Sequence, residues 1–402
     1  MTDPRISRRA DDRRKSLAAV LACGMAAVPV LALWWACNGH AILRAPAGAP
    51  CWLGDGWQWW SGSYLALHGQ VDMVFTPAAF SSWVNGRTGC GLHVWSYPPT
   101  TLLLLLPVGL LPPVPAVLLF DALGTALFGW SIRRAGLKGD MWLTVMLSPA
   151  AIFNLASQQN GAWTGGLFLT GLALAERRPI LGGIAFGMLT AKPQLCVLVP
   201  FFLLGRRNIR CLAAMAATAL ALALAGTLAF SVHAWGLFVT QVMPEIHRLI
   251  EQALPPGNNA TVVTAYALAR ATRMGAAAAN ACQLGASLLA AAGAVWVARR
   301  PGMADAERWA FLSLLAVLAT PYLQGYDLLS VGFACVVLLR GRTGKGVDTM
   351  LALMLCALWA MPGMMPWLGI FGVPPLVPVL VMAILLVAGW KLTRPAAPVP
   401  AA

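Results

Sequence analysis

The chain has 402 residues, 59% of them hydrophobic and only 10% charged, with a mean hydropathy of +0.72. Soluble domains carry roughly 25% charged residues, so the composition excludes a water-soluble globular enzyme and specifies an all-α polytopic membrane protein. The formal charge of +14 is spread as short basic clusters between apolar runs. That is the positive-inside pattern, and it argues against a nucleic-acid partner and for a bilayer.

Residues 1–15 are polar and basic, and Arg8, Arg9, Arg13 and Arg14 set this segment in the cytoplasm. The uncharged stretch Ser16–Ile42 is long enough for one crossing of roughly 20 residues. No small-residue cleavage site follows it, so it reads as a retained signal anchor. A first extracytoplasmic loop then covers residues 38–113. Within it, Asp55 stands among Trp52, Trp57, Trp59 and Trp60, the mark of a helix lying at the membrane surface. Trp57, Trp60, Tyr64 and Leu67 recur at helical spacing, which predicts a helix from Asp55 to His68 ended by Gly69. Cys51 and Cys90 bracket this loop on the oxidising side and are candidates for a disulfide, with Cys37 as a competing partner.

Thr100–Leu111 is apolar but short, and Pro112, Pro113 and Pro115 stop it. Ala116–Ile132 follows and ends at Arg133, Arg134 and Lys138. If both runs crossed, those cations would lie outside. A re-entrant Thr100–Leu111 keeps them inside, together with every later basic cluster. Spans then alternate through Met141–Ala156, Ala162–Ala175, Ile180–Thr190, Leu195–Leu204, Leu212–Ser231, Ala276–Ala298, Ala310–Thr320, Leu328–Leu339, Met350–Met361 and Val377–Gly389. The result is about twelve crossings, with both termini inside. Residues 16–394 form one transmembrane domain, residues 232–273 a second extracytoplasmic loop, and residues 395–402 a Pro/Ala-rich tail expected to be disordered. The short spans around Lys192-Pro193 are tolerable at membrane depth only where they line a cavity.

This topology brings Asp55, Gln158, Gln159, Asn160, Lys192, Tyr322, Gln324, Tyr326 and Asp327 to the outer face. A lysine inside an apolar hairpin costs about 2.5–3.5 kcal/mol to insert and calls for an anionic partner. A substrate phosphate and an ion pair with Asp327 both satisfy that need. Asp55 can carry chemistry or simply cap the helix behind it. Asp121, in mid-span, suits a helix-packing hydrogen bond. His68, His93, His233 and His247 are too scattered for a metal set, so no metal or cofactor is expected.

The chain also resembles glycosyltransferase family 87. The likeness runs through Gly54-Asp55 and its aromatic helix to Gly69-Gln70, then Tyr97-Pro98-Pro99, Pro107 and Leu111-Pro112. It continues through Gln159-Asn160-Gly161, Arg178-Pro179, Gly182-Gly183, Ala191-Lys192-Pro193-Gln194, Thr320-Pro321-Tyr322 and Tyr326-Asp327. Differences fall at Phe75-Thr76, where many members keep Tyr-Asp, and at Gln324-Gly325. The resemblance implies a GT-C fold in the plasma (inner) membrane with its active site on the extracytoplasmic face. It implies transfer of a monosaccharide, mannose or a related sugar, from a polyprenyl-phosphate donor to a lipid or glycan acceptor hydroxyl, with Asp55 as general base. Lys192 and an outer-loop arginine (Arg87, Arg248 or Arg270) are then expected on the phosphate, with Gln158, Gln159, Asn160, Tyr97, Tyr322, Tyr326 and Asp327 lining the site. Reading the residues alone leaves a flippase for a lipid-linked sugar as the alternative.

Overall fold

The computed structural model describes residues 53–90, 93–253, 261–340 and 349–393. Helix dominates them, as expected. No strand occurs among the described residues, only an isolated antiparallel bridge between Val262 and Gln324. Among the described residues, three helical runs are long and apolar enough to cross a membrane: Pro113–Arg134, Ile209–Gln252 and Ala276–Arg299. Leu220, Leu224 and Leu228 on the second, and Leu284, Leu288 and Leu289 on the third, are exposed. Leucines outward and small residues inward are what a lipid-facing helix presents.

The predicted surface helix is α1, Gly56–Leu67, and Gly69 closes it at φ +72°. After α2 (Pro77–Thr88), α3 (Pro99–Leu105) passes into a 3₁₀ segment, Leu106–Leu110. Together these are about 20 Å long, short of the roughly 30 Å hydrocarbon core. They lie along α1: the Ser63 hydroxyl donates to Leu105 O at 2.8 Å, and Trp60 Nε1 to Leu111 O at 2.8 Å. A Cβ on Gly109 would sit 2.7 Å from the Ser63 and Tyr64 backbone, so only glycine permits this approach. Cys90 is disulfide-bonded; Cys51, its expected partner, lies outside the described residues, as does the anchor Ser16–Ile42.

α4 (Pro113–Arg134) is the first of these three long apolar runs and ends at Arg133 and Arg134. The expected span Met141–Ala156 is corrected: it is two short helices, α5 (Asp140–Met146) and α6 (Pro149–Ala156). Pro149 has no N–H to continue the first helix, and the Ser148 hydroxyl instead accepts from Ala151 N at 3.4 Å to start the second. The next elements are α7 (Gly161–Ala175), α8 (Pro179–Met188), α9 (Val199–Gly205) and α10 (Ile209–Leu237). α8 packs closely on α10 because Gly183 and Gly187 lack side chains, and a Cβ on either would fall 2.4 Å from an α10 atom. Toward its C-terminal end α10 breaks at Ser231 (φ 71°, ψ 166°) and passes through a π-turn, Phe238–Val242, into the amphipathic α11, Met243–Ala253.

The chain continues through α12 (Ala265–Ala271), α13 (Ala276–Arg299), α14 (Asp305–Ala319) and α15 (Leu329–Arg340). It ends with α16 (Thr349–Ile370) and α17 (Val377–Thr393). Two large apolar cores result. One gathers α1–α4 with the C-terminal end of α10, and the other runs from α4 through α17. The polar residues of interest lie where the two meet.

Candidate active site

Asp55 occupies the N-cap position of α1, but its side chain makes no capping hydrogen bond. The capping role left open by the sequence is therefore not the one it plays. Flanking glycines explain how the carboxylate reaches its place. Gly54 takes φ +47°, and Gly56 lets α1 begin against α4, where a Cβ would meet Val117 at 2.6 Å. Trp59, one turn on, is fully buried and donates from Nε1 to Gln158 O at 2.8 Å. That bond ties α1 to the loop between α6 and α7, which carries Gln158, Gln159 and Asn160.

Gln159 Nε2 donates to Asp55 Oδ2 at 2.5 Å. Its neighbour Asn160 accepts, through Oδ1, from Lys192 Nζ at 3.3 Å. Lys192 in turn pairs with Asp327 Oδ1 at 2.5 Å and stands 5.3 Å from the Tyr326 ring centroid. Two adjacent amide side chains therefore join Asp55 to the buried Lys192–Asp327 pair in one polar path. The approach of α7 to this point requires Gly161, since a Cβ there would lie 2.0 Å from Tyr326 O.

Lys192 sits between two 3₁₀ turns, Leu189–Ala191 and Pro193–Leu195. The broken hairpin is held from both sides: Thr101 Oγ1 donates to Ala191 O at 2.6 Å and Thr320 Oγ1 to Gln194 O at 3.2 Å. Asp327 is fixed by Gln324 N, which donates to its Oδ2 at 3.2 Å. Of the two partners the sequence allowed for Lys192, the structure supplies the protein carboxylate.

At Asn160 and Lys192 this path meets a cavity of about 400 Å³. Its wall is mostly apolar, including Leu104, Leu105, Val108, Leu119, Phe120 and Trp163, with Thr101, Thr164, Asn160 and Lys192 as the polar members. The short helices around Lys192-Pro193 line a cavity, as their length required.

Tyr97 and Tyr326 are buried and Tyr322 half-buried. Tyr97 lies 4.8 Å from Trp59 ring to ring, and the Tyr322 hydroxyl accepts from Gln324 Nε2 at 3.1 Å. Burial raises the pKa of all three phenols, and the Asp55 and Asp327 charges add to the effect, which keeps them neutral donors. The three arginines expected on the phosphate are otherwise engaged. Arg248 pairs with Glu245 of its own helix at 2.5 Å, Arg270 with Glu251 at 2.6 Å, and Arg87 stacks 3.7 Å over Trp83. Asp121 Oδ1 is buried without a partner among the described residues, so the expected packing hydrogen bond is not made at that oxygen. No group of three or more metal-ligating side chains occurs among the described residues.

One neighbour of Asp55 was missed. His93 is 7% exposed, and neither ring nitrogen has a partner among the described residues. Trp95, two residues on, packs against Trp59 at 6.1 Å and donates from Nε1 to Tyr97 O, which lays this extended segment beside α1. Weighing the histidines only as metal ligands hid it. Its position between Asp55 and Tyr97, in the same polar loop, was the available signal.

Burial pushes the Asp55 carboxyl above its ordinary 3.8, while the Gln159 hydrogen bond pulls it back down, and so does His93 when its ring is protonated. Asp55 accepts protons only when ionised, so activity depending on it is lost as pH falls through that raised value. Gln159→Leu removes a bond that favours the ionised form. Its acid limb in kcat/KM is therefore expected at higher pH than in the wild type, as paired pH–rate profiles would measure.

Fold and site together define a membrane protein, helical throughout its described residues apart from one isolated bridge, in which a linked carboxylate, amide and lysine set meets an apolar cavity at Asn160 and Lys192. The chain belongs to glycosyltransferase family 87, whose family model matches residues 95–321. It is accordingly a membrane glycosyltransferase. Asp55 precedes the matched stretch, and Tyr322, Tyr326 and Asp327 follow it. No curated protein and no solved structure matches the chain.

Proposed function

We propose that the protein transfers a monosaccharide, mannose or a related sugar, from a polyprenyl phosphate to an acceptor hydroxyl on the extracytoplasmic face of the inner membrane. The observation that carries this reading is the polar path from Asp55 to Lys192 beside an apolar cavity that an isoprenoid chain can fill.

The acceptor oxygen attacks the anomeric carbon as the bond from that carbon to the phosphate oxygen breaks. The acceptor proton passes to Asp55, and the bond's electron pair leaves with the phosphate. Phosphate is already a good leaving group, so one carboxylate suffices where glycosidases use two. A single displacement inverts the anomeric centre. Lys192 has three N–H donors, and Asp327 and Asn160 take at most two of them. The remaining donor suits a phosphate oxygen at the polar end of the cavity. The GT-C arrangement and about twelve crossings belong to the same reading, supported by the alternation of apolar helices with basic clusters.

The test is incubation of purified protein in proteoliposomes with defined polyprenyl-phosphate sugars and candidate glycolipid acceptors, with mass spectrometry of the products. Release of polyprenyl phosphate coupled to a heavier acceptor is expected. Transbilayer movement of an intact donor without any transfer would point to the flippase instead.

A further inference from the structure

Three buried polar side chains around Asp55 keep atoms without a partner among the described residues: Gln158 Oε1, Gln159 Oε1, and both ring nitrogens of His93. Their identity is chemically selective. Gln158 Nε2 already donates to Leu155 O at 3.0 Å and Gln159 Nε2 to Asp55 Oδ2, so reversing either amide would set oxygen against oxygen. The unpartnered amide atoms are therefore carbonyl oxygens, which only accept. A phosphate diester also only accepts, so it cannot satisfy them.

They also lie together. Gln158 Oε1 would be 2.8 Å from a Cβ built on Gly54, the residue before Asp55, and Gln159 holds Asp55 itself. His93 belongs to the same extended segment as Trp95, whose ring packs 6.1 Å from Trp59 of α1 and so brings the segment against the helix that Asp55 begins. Gln159 is 3% exposed, Gln158 9% and His93 7%, so solvent does not satisfy these atoms.

We propose that His93, Gln158 and Gln159 form a subsite for the ring hydroxyls of a sugar next to the reacting centre, leaving the phosphate to Lys192. Two carbonyl oxygens, a bare imidazole nitrogen and the Asp55 carboxylate need several O–H donors in a small volume. A monohydric alcohol supplies one, whereas a pyranose or furanose ring supplies several in fixed geometry. Burial lowers the His93 pKa against the opposing pull of Asp55. The neutral imidazole then offers one acceptor nitrogen and one N–H, the complement of a pair of neighbouring hydroxyls.

The inference rests on the transferase reading above. The same chemistry serves the donor sugar or an acceptor sugar, and the experiment separates them. In proteoliposomes, wild type, His93→Leu and Gln158→Met receive polyprenyl-phosphate mannose and glucose, and their 2-, 3- and 4-deoxy forms, with hexyl hexosides, their deoxy forms and 1-hexanol as acceptors. One lost neutral hydrogen bond is worth roughly a tenfold change. The expected result is a rise of that size in the KM for one sugar ring in each variant, with kcat nearly kept. The deoxy analogue lacking the contacted hydroxyl should show the same penalty with wild type and no further penalty with the variant. A penalty that follows the donor assigns the subsite to the donor ring, and one that follows the hexoside assigns it to the acceptor ring.

The deoxy series on wild type needs no variant and stands even if a variant fails to fold. Unchanged KM for every deoxy analogue, or variants that lose only thermal stability, would overturn the subsite while transfer persists. Failure of wild type to consume any polyprenyl-phosphate sugar would instead overturn the transferase reading, and the subsite with it.

Discussion

Asp55→Asn is expected to lower kcat by about 10²–10⁴-fold while the protein stays folded and binds donor, the loss typical of removing a general base. The substitution is unusually clean here. The Asp55 side chain makes no capping bond that Asn could lose, and Asn Oδ1 can still accept from Gln159 Nε2. Asp55→Glu should recover little, because an added methylene displaces the carboxylate beyond the tolerance of an aligned reaction. Turnover measured with a verified donor, beside donor binding, decides the matter. Near-normal turnover in Asp55→Asn would move the base elsewhere, yet Asp72, Glu245, Glu251 and Asp327 are poor alternatives. Asp327 is paired with Lys192, Glu245 with Arg248, Glu251 with Arg270, and Asp72 is exposed beside His233. Asp55 has a neutral hydrogen-bond partner instead.

Lys192→Met should destabilise the protein by about 3–5 kcal/mol, because it leaves the Asp327 carboxylate buried without its counter-ion. Loss of activity in that variant alone would therefore say nothing about phosphate. The double variant Lys192→Met/Asp327→Leu removes both charges, and replacing a buried pair by apolar groups is often neutral or better. Melting temperatures of the two single variants and the double should show strong coupling, as for residues in contact. If turnover remains lost when stability returns, Lys192 acts on the donor. If turnover returns with stability, the lysine is only a structural partner.

The helical fold was largely legible in the sequence, because apolar runs bounded by basic clusters are set by the cost of burying charge in lipid. α4, α7, α10, α13 and α15 fall close to their predicted limits. The split into α5 and α6 was visible as Pro149 but was overridden by the continuous hydropathy of Met141–Ala156. In the site, Asp55, Gln159, Asn160, Lys192 and Asp327 were placed together by topology alone, and the structure brings them into contact. Which partner Lys192 takes was not legible, because a carboxylate and a phosphate meet the same electrostatic need. Nor was the arrangement in which Gln159 and Asn160 face different partners. That follows from the turn at Gln158, where φ is +46°, a conformation no pattern of residue types announced. His93 escaped because burial and the lack of a partner are properties of packing.

The apolar cavity has a practical consequence. Leu111, Leu119 and Leu123 line it and are also exposed, so it is open at the side where lipid would lie. An alkyl-chain detergent offers that opening the same kind of surface as an isoprenoid does. On the proposed reading, in which the donor's isoprenoid chain fills this cavity, solubilisation supplies a competitor at far higher concentration than the donor itself. Weak turnover in micelles would then measure occupancy of the groove by detergent tails, and donor affinities acquire meaning only when quoted with detergent chain length and concentration.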